Sequence, residues 1–319
     1  MSVLSLTKVR NISKRDLLLT GLMALATYAL IQQITNIDFT EVWNAIKSAD
    51  LVWFMLAFFV AQLILVPNAT SMMSAVTAPI PFKPTLILQS AIQFIGLAVP
   101  STASRVATNV AYLKKFKVPY VTAITQGALD SFTGFLVQMT ILVIAIIFGD
   151  VNLNLKNNIN TDWVIVLSIA GGIILIGLIV LYNAKTLRLK LINILKDVIG
   201  SFSILAEHPI RLVTLFGSNL LSQLVLGTTM VITAQAFGVD ISIATALVIV
   251  VSATLLGGIA PVPGGIGVQE AIISAGLVSA GVDQSSAYAM TVSYRLFTFF
   301  LPPIWGAFSF RWLTKNKFI

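Results

Sequence analysis

Apolar positions along the chain fall in long unbroken runs. The runs cover about 17–34, 51–78, 85–99, 120–149, 162–184, 211–237, 243–260, 266–282 and 285–310. Runs near twenty residues predict helices long enough to cross hydrocarbon, and the absence of period-two alternation argues against a barrel. Two places break the pattern. The run 85–99 ends at Pro100 and gives way to the interrupted stretch Ser101–Leu113. The runs 243–260 and 266–282 are arms around Pro261-Val262-Pro263-Gly264-Gly265-Ile266-Gly267-Val268-Gln269-Glu270. Proline removes a backbone donor and glycine favours unwound chain, so neither place reads as a simple spanning helix. Unpaired peptide groups in hydrocarbon cost several kcal/mol each, so such breaks predict backbone held against protein or a wet cavity.

Composition sharpens this into a class. Of 319 residues, 57% are hydrophobic and only 10% charged, with mean hydropathy +0.94. That balance predicts an all-α polytopic membrane protein. The net charge of +8 does not point to nucleic acid, because the basic residues sit in short clusters between apolar runs, as topology signals do. The run after Lys8, Arg10, Lys14 and Arg15 reads as an uncleaved first helix rather than a signal peptide. There is no cysteine, and His208 is the only histidine, so cysteine- or histidine-based metal sites and a catalytic triad are not expected. No phosphate loop, dinucleotide fingerprint or nucleophile elbow occurs; no cofactor and no enzymatic activity are expected.

The charges also set a topology. With the N-terminus in the cytoplasm and 85–113 and 243–282 as hairpins that enter and leave on one side, the inner face takes the Lys8–Arg15, Lys114–Lys117, Lys185–Lys196 and Arg311–Lys317 clusters, plus Lys83 and Arg211. Of the basic residues the outer face then receives only Lys47 and Lys156, beside Asp38, Glu41, Asp50, Asp150, Asp162, Asp240 and Asp283. This predicts six full crossings, two re-entrant hairpins entering from opposite faces, and both termini inside. It also suggests one membrane domain in which 51–149 and 211–310 are inverted repeats. From Arg105 to Asp130 is 25 residues, and from Glu270 to Arg295 is again 25, with the charges exchanged. The stretch 185–208 mixes apolar and basic residues at helical spacing and reads as a cytoplasmic amphipathic segment.

Four charges fall within the membrane: Arg105, Asp130, Glu270 and Arg295. They sum to zero, and an unpaired charge there is costly, so pairing is expected. One reading is two structural salt bridges. The other is a polar pocket in which a charged headgroup replaces one partner. Arginine suits phosphate through its planar fork, and a half-helix start after Pro100-Ser101-Thr102 would add amide donors for Arg105 to work beside. Among uncharged residues in the apolar runs, Asn109 and Gln269 are the best pocket candidates. The hairpin breaks themselves are Pro100, Ser101 and Thr102, and Pro261, Pro263, Gly264, Gly265 and Gly267.

The sequence Pro261–Ala271 resembles the flippase-like family typified by the transmembrane region of lysylphosphatidylglycerol synthases, whose most recognisable motif is Pro-x-Pro-Gly-Gly-x-Gly-x-x-Glu. Pro100–Arg105, with Tyr112-Leu113 and Val118-Pro119, resembles the family's other block; Ala103-Ser104 stands where an acidic residue often precedes the arginine. The resemblance covers about 15–315. It implies a protein of the cytoplasmic membrane of a prokaryote that moves a phospholipid or lipid-linked molecule between leaflets, its phosphate-bearing headgroup bound at mid-membrane. The family's soluble synthase domain is expected to be absent, so aminoacyl transfer is not carried over. A secondary transporter of a small anion and a non-transporting partner of a lipid-modifying enzyme remain as alternatives.

Overall fold

The computed structural model describes residues 39–98, 102–148, 207–259 and 263–319, together with Lys196, Gly200 and Phe202. The expected first helix at 17–34, the run 162–184, nearly all of the segment 185–208, and Pro100, Ser101 and Pro261 lie outside the described residues. Everything described is helix, turn or loop, with no strand among the described residues.

The elements are α1 (Phe39–Ser48), α2 (Leu51–Gln62), α3 (Leu65–Ser74), α4 (Phe82–Ala98), α5 (Thr102–Lys115), α6 (Tyr120–Phe148), α7 (Pro209–Ala236), α8 (Ile243–Ile259), a 3-10 turn (Pro263–Gly265), α9 (Val268–Ser279), α10 (Gln284–Arg295), a π turn (Leu296–Phe300) and α11 (Pro302–Lys315). Among the described residues, three stretches are long and apolar enough to cross a membrane: Leu51–Ser74, Tyr120–Ala145 and Pro209–Ala236. Their outer faces carry large bare hydrophobics such as Phe59, Val143, Ile210 and Val213, as lipid contact requires. The apolar helices α8 and α9 are shorter.

Proline places the interruptions. Pro67 cannot donate to Leu63, and the chain loosens at Leu63-Ile64 between α2 and α3, with Pro67 itself in the first turn of α3. The run 285–310, which the apolar pattern presents as one helix, is divided. Pro302 and Pro303 remove two successive donors. The chain answers with the π turn, in which Leu301 N–H bonds Leu296 C=O at 2.9 Å. The π turn also leaves the Phe297 carbonyl to accept from Gln62 Nε2 at 3.0 Å, which ties it to the end of α2.

Helix α7 is the central post, packing on α2, α3, α6, α8 and α10. Arg211 in its first turn donates to the carbonyls of Met73, Val76 and Thr77, so a cation neutralises the carbonyl end of α3. The two largest buried clusters lie on different parts of the bundle. One joins α7–α10 through Met230, Ile249, Ile273 and Met290; the other joins α3–α6 to α11 through Met72, Leu88, Tyr112 and Leu313. α11 lies along α4, where Gly306 brings the two backbones together. A Cβ at Gly306 would sit 2.5 Å from the Ser90 carbonyl oxygen and 3.0 Å from Phe94 Cβ.

Because that contact is backbone to backbone, Gly306→Val should push α11 off α4. A loss of about 1–3 kcal/mol is expected, the usual cost of overpacking. It would be read as a lowered unfolding temperature in detergent, while Gly217→Ala, with open space at its Cβ position, should change little.

Candidate functional site

The glycine-rich break is assembled from three sides. After α8 the chain turns through Pro263–Gly265 and restarts as α9 at Val268. Gly264 and Gly265 both hold left-handed φ, 65° and 63°. Glycine is required there for space as well as for angle. A Cβ on Gly264 would lie 2.3 Å from Phe299, and one on Gly265 would lie 3.0 Å from the Gly257 carbonyl oxygen. Gly257 in α8 is equally tight, since a Cβ would meet Gln269 Cγ at 2.3 Å.

Arg295, at the end of α10, holds the break closed. Its Nε donates to Glu270 Oε1 at 2.6 Å, its Nη1 to Gln269 Oε1 at 2.8 Å and its Nη2 to the Gly264 carbonyl at 3.2 Å. One guanidinium therefore reaches the unwound backbone, the half-helix start and the acid beside it. The guanidinium also lies 4.3 Å from the centre of the Phe299 ring, in cation–π contact. Glu270 works twice. Its second oxygen accepts from Gly267 N–H at 2.5 Å, so the carboxylate reaches back from the first turn of α9 to satisfy the amide of the cap residue and sits at the positive end of the helix dipole. Arg295 is 5% exposed and Glu270 21%, so this pair is shielded far more than a surface bridge.

Asp130 stands elsewhere, in the middle of α6, and meets neutral partners. Its Oδ1 accepts from the Ser71 hydroxyl on α3 and from Asn219 Nδ2 on α7 at 3.1 Å; the same Nδ2 lies 2.8 Å from Ser71 Oγ. One turn along, Ser222 donates to Asn68 Oδ1 at 2.9 Å. No cation pairs with Asp130 among the described residues.

The residues singled out from the sequence thus divide. Glu270, Arg295 and Gln269 are brought together in direct bonds. Asp130 belongs to a separate cluster and bonds none of them. Arg105 lies on α5, but its side chain, like those of Thr102 and Pro263, lies outside the described residues. Asn109 Oδ1 is buried without a hydrogen-bond partner among the described residues. Several working residues carried no signal of their own. Phe299 and Gly257 read as ordinary apolar and small positions. Ser71 resembles the many serines and threonines here that bond the carbonyl one turn back, as Thr70 and Thr125 do, and only the fold shows it reaching across helices.

Comparison with known families bears on this arrangement. The family model described as lysylphosphatidylglycerol synthase TM region matches residues 17–306, which includes the break, Arg295 and Asp130. No match was found among curated proteins.

Removing one member of the Arg295–Glu270 pair should be worse than removing both. Glu270→Leu or Arg295→Met alone should cost about 3–5 kcal/mol, because each strands a shielded charge. The double variant should lose clearly less than the sum of the singles, as a double-mutant cycle of unfolding in detergent would measure. Arg295→Lys keeps the charge but cannot hold three separate acceptors with a planar fork, and should behave like a loss rather than a conservative change.

Proposed function

The chain belongs to the lysylphosphatidylglycerol synthase transmembrane-region family, and from that premise we propose that it carries a phosphate-bearing lipid headgroup between leaflets. The observation that supports this most is the shielded arginine built around a broken helix. Hydrocarbon offers a headgroup no polar partner, so a crossing headgroup needs donors supplied at depth by protein. Arg295 presents Nε and Nη groups in the fork geometry that phosphate accepts, beside the restarted α9 with its N-terminal dipole. In the proposed cycle a headgroup phosphate takes the arginine donors in exchange for Glu270 and Gln269. Glu270 stays on the Gly267 amide, and the pair closes again once the headgroup has passed. The acyl chains remain in lipid throughout.

The proposal includes the wider arrangement. α4–α5 and α8–α9 are two re-entrant hairpins entering from opposite faces, completed by six full crossings, and 51–149 and 211–310 are inverted repeats. Arg105 and Asn109 on α5 serve the same passage from the opposite hairpin. The protein sits in the inner membrane of a prokaryote with both termini cytoplasmic, acts without catalysing a covalent step, and has a membrane lipid as its partner.

One observation favours a second reading. Every guanidinium nitrogen of Arg295 already has a protein acceptor. A pair that never opens would be a structural lock, suited to a non-transporting partner of a lipid-modifying enzyme.

The two readings separate in proteoliposomes holding fluorescent phosphatidylglycerol, with headgroup exposure followed by an impermeant quencher. On the transport reading the protein accelerates exposure, and Arg105→Ala and Glu270→Ala variants that still purify as folded protein fall at least about tenfold, one lost interaction's worth. Rates in those variants equal to the unaltered protein would remove the site assignment; no acceleration by the unaltered protein would favour the lock.

A further inference from the structure

The Asp130 cluster differs in chemistry from the Arg295 site. Both of its bonds, from Ser71 and from Asn219, reach the same carboxylate oxygen, Oδ1. None of the described side chains bonds Oδ2; that of Arg105 is not among them. The surroundings are short of donors: Gln126 Oε1, one turn before Asp130 on α6, and Gln223 Oε1, one turn after Asn219 on α7, are buried without a hydrogen-bond partner among the described residues. Gln126 is 2% exposed and Gln223 8%. Residues four apart share a helix face, so these acceptors lie along the strips that carry Asp130 and Asn219. A buried acceptor without a donor calls for water or another proton-bearing group, and a carboxylate with one bare oxygen can supply such a group by taking up a proton.

We infer that Asp130 is a proton-binding site, distinct from the Arg295–Glu270 site, which loads and releases one proton as the bundle works. In the step, Oδ2 accepts a proton from hydronium and water is released; the reverse step returns the carboxylate. Ser71 and Asn219 hold Oδ1 in both states. Among the described residues no group of three or more His, Cys, Asp or Glu side chains gathers here to hold a metal ion. The elements packed on α6 carry few other charges. α3 and α8 have none, and on α7 the one charge is Arg211, engaged with the end of α3. On α5 they are Lys114 and Lys115 in its last turn and Arg105, ten residues before that helix ends, as Asp130 is ten residues after α6 begins. Tyr120 is the other titratable group of α6, at its start. The use of the proton, as the drive for headgroup movement, rests on the transport reading; the binding of the proton does not.

Infrared difference spectroscopy of the whole protein in lipid vesicles, stepped from about pH 4 to about pH 10, tests this directly. A protonated-carboxyl carbonyl band should titrate within that range, disappear in Asp130→Asn and shift in frequency in Asp130→Glu. In Ser71→Ala its midpoint should rise by about one pH unit, because the ionised form loses a donor. Neutralisation of Asp130 could disturb folding, but the Ser71→Ala shift is read with Asp130 intact. A site that stays ionised at every pH, as a pair with Arg105 would, overturns the inference, as does a band present at every pH. A titrating band in a protein that moves no fluorescent lipid would leave the proton site standing and the transport reading refuted.

Discussion

The fold around the break depends on one constraint: an unwound backbone inside an apolar bundle must find its polar partners in the protein. Arg295 meets it. The side chain starts where α10 gives way to the π turn and ends on the Gly264 carbonyl, Gln269 and Glu270. Each neighbour can be understood from that reach. Phe299 covers the guanidinium face, Gly264 makes room for Phe299, and Gly257 makes room for Gln269. The paired prolines that oblige the chain to form the π turn also separate the segment carrying Arg295 from α11, and Gln62 satisfies a carbonyl of that turn. A local interruption in hydrogen bonding therefore positions the one ion pair found among the described residues.

The two acids, Glu270 in the first turn of α9 and Asp130 within α6, show how environment divides similar groups. Glu270 shares an arginine and a helix-start amide, so its ionised form is matched by charge on one oxygen and by a backbone donor on the other. Among the described side chains Asp130 has a hydroxyl and a carboxamide, both on one oxygen. A matched pair suits binding and release of another anion by exchange. A carboxylate held by neutral donors suits binding of a proton. A charge count alone treats the two acids as equivalent members of a balanced set of four.

Much of the helix layout was legible in the sequence. The runs at 120–149, 211–237 and 243–260 correspond to α6, α7 and α8 within a few residues, because long apolar runs in a charge-poor chain leave little else to form. The division of 285–310 at Pro302-Pro303 was present in the letters but hidden by continuous hydropathy. For the site, electroneutrality predicted that the buried charges would pair, and Glu270 and Arg295 do. Of the four charges, Asp130 bonds neither Glu270 nor Arg295 and keeps its own partners, and the side chain of Arg105 lies outside the described residues. Ser71, Phe299 and Gly257 were illegible for a common reason. Their work is to touch residues far away in the chain, and nothing in their own neighbourhoods distinguishes them from packing residues.

The central claim is that the break held by Arg295 is a place where a lipid phosphate can sit at depth. The most direct measurement is a structure determined in a phospholipid bilayer without detergent. The account predicts headgroup density within hydrogen-bonding reach of Arg295 beside the Gly264–Gly267 break, in at least one state, with the bond to Glu270 opened. A bilayer structure in every state of which Arg295 keeps Glu270, Gln269 and the Gly264 carbonyl, with side chains alone filling the surrounding space, would contradict it.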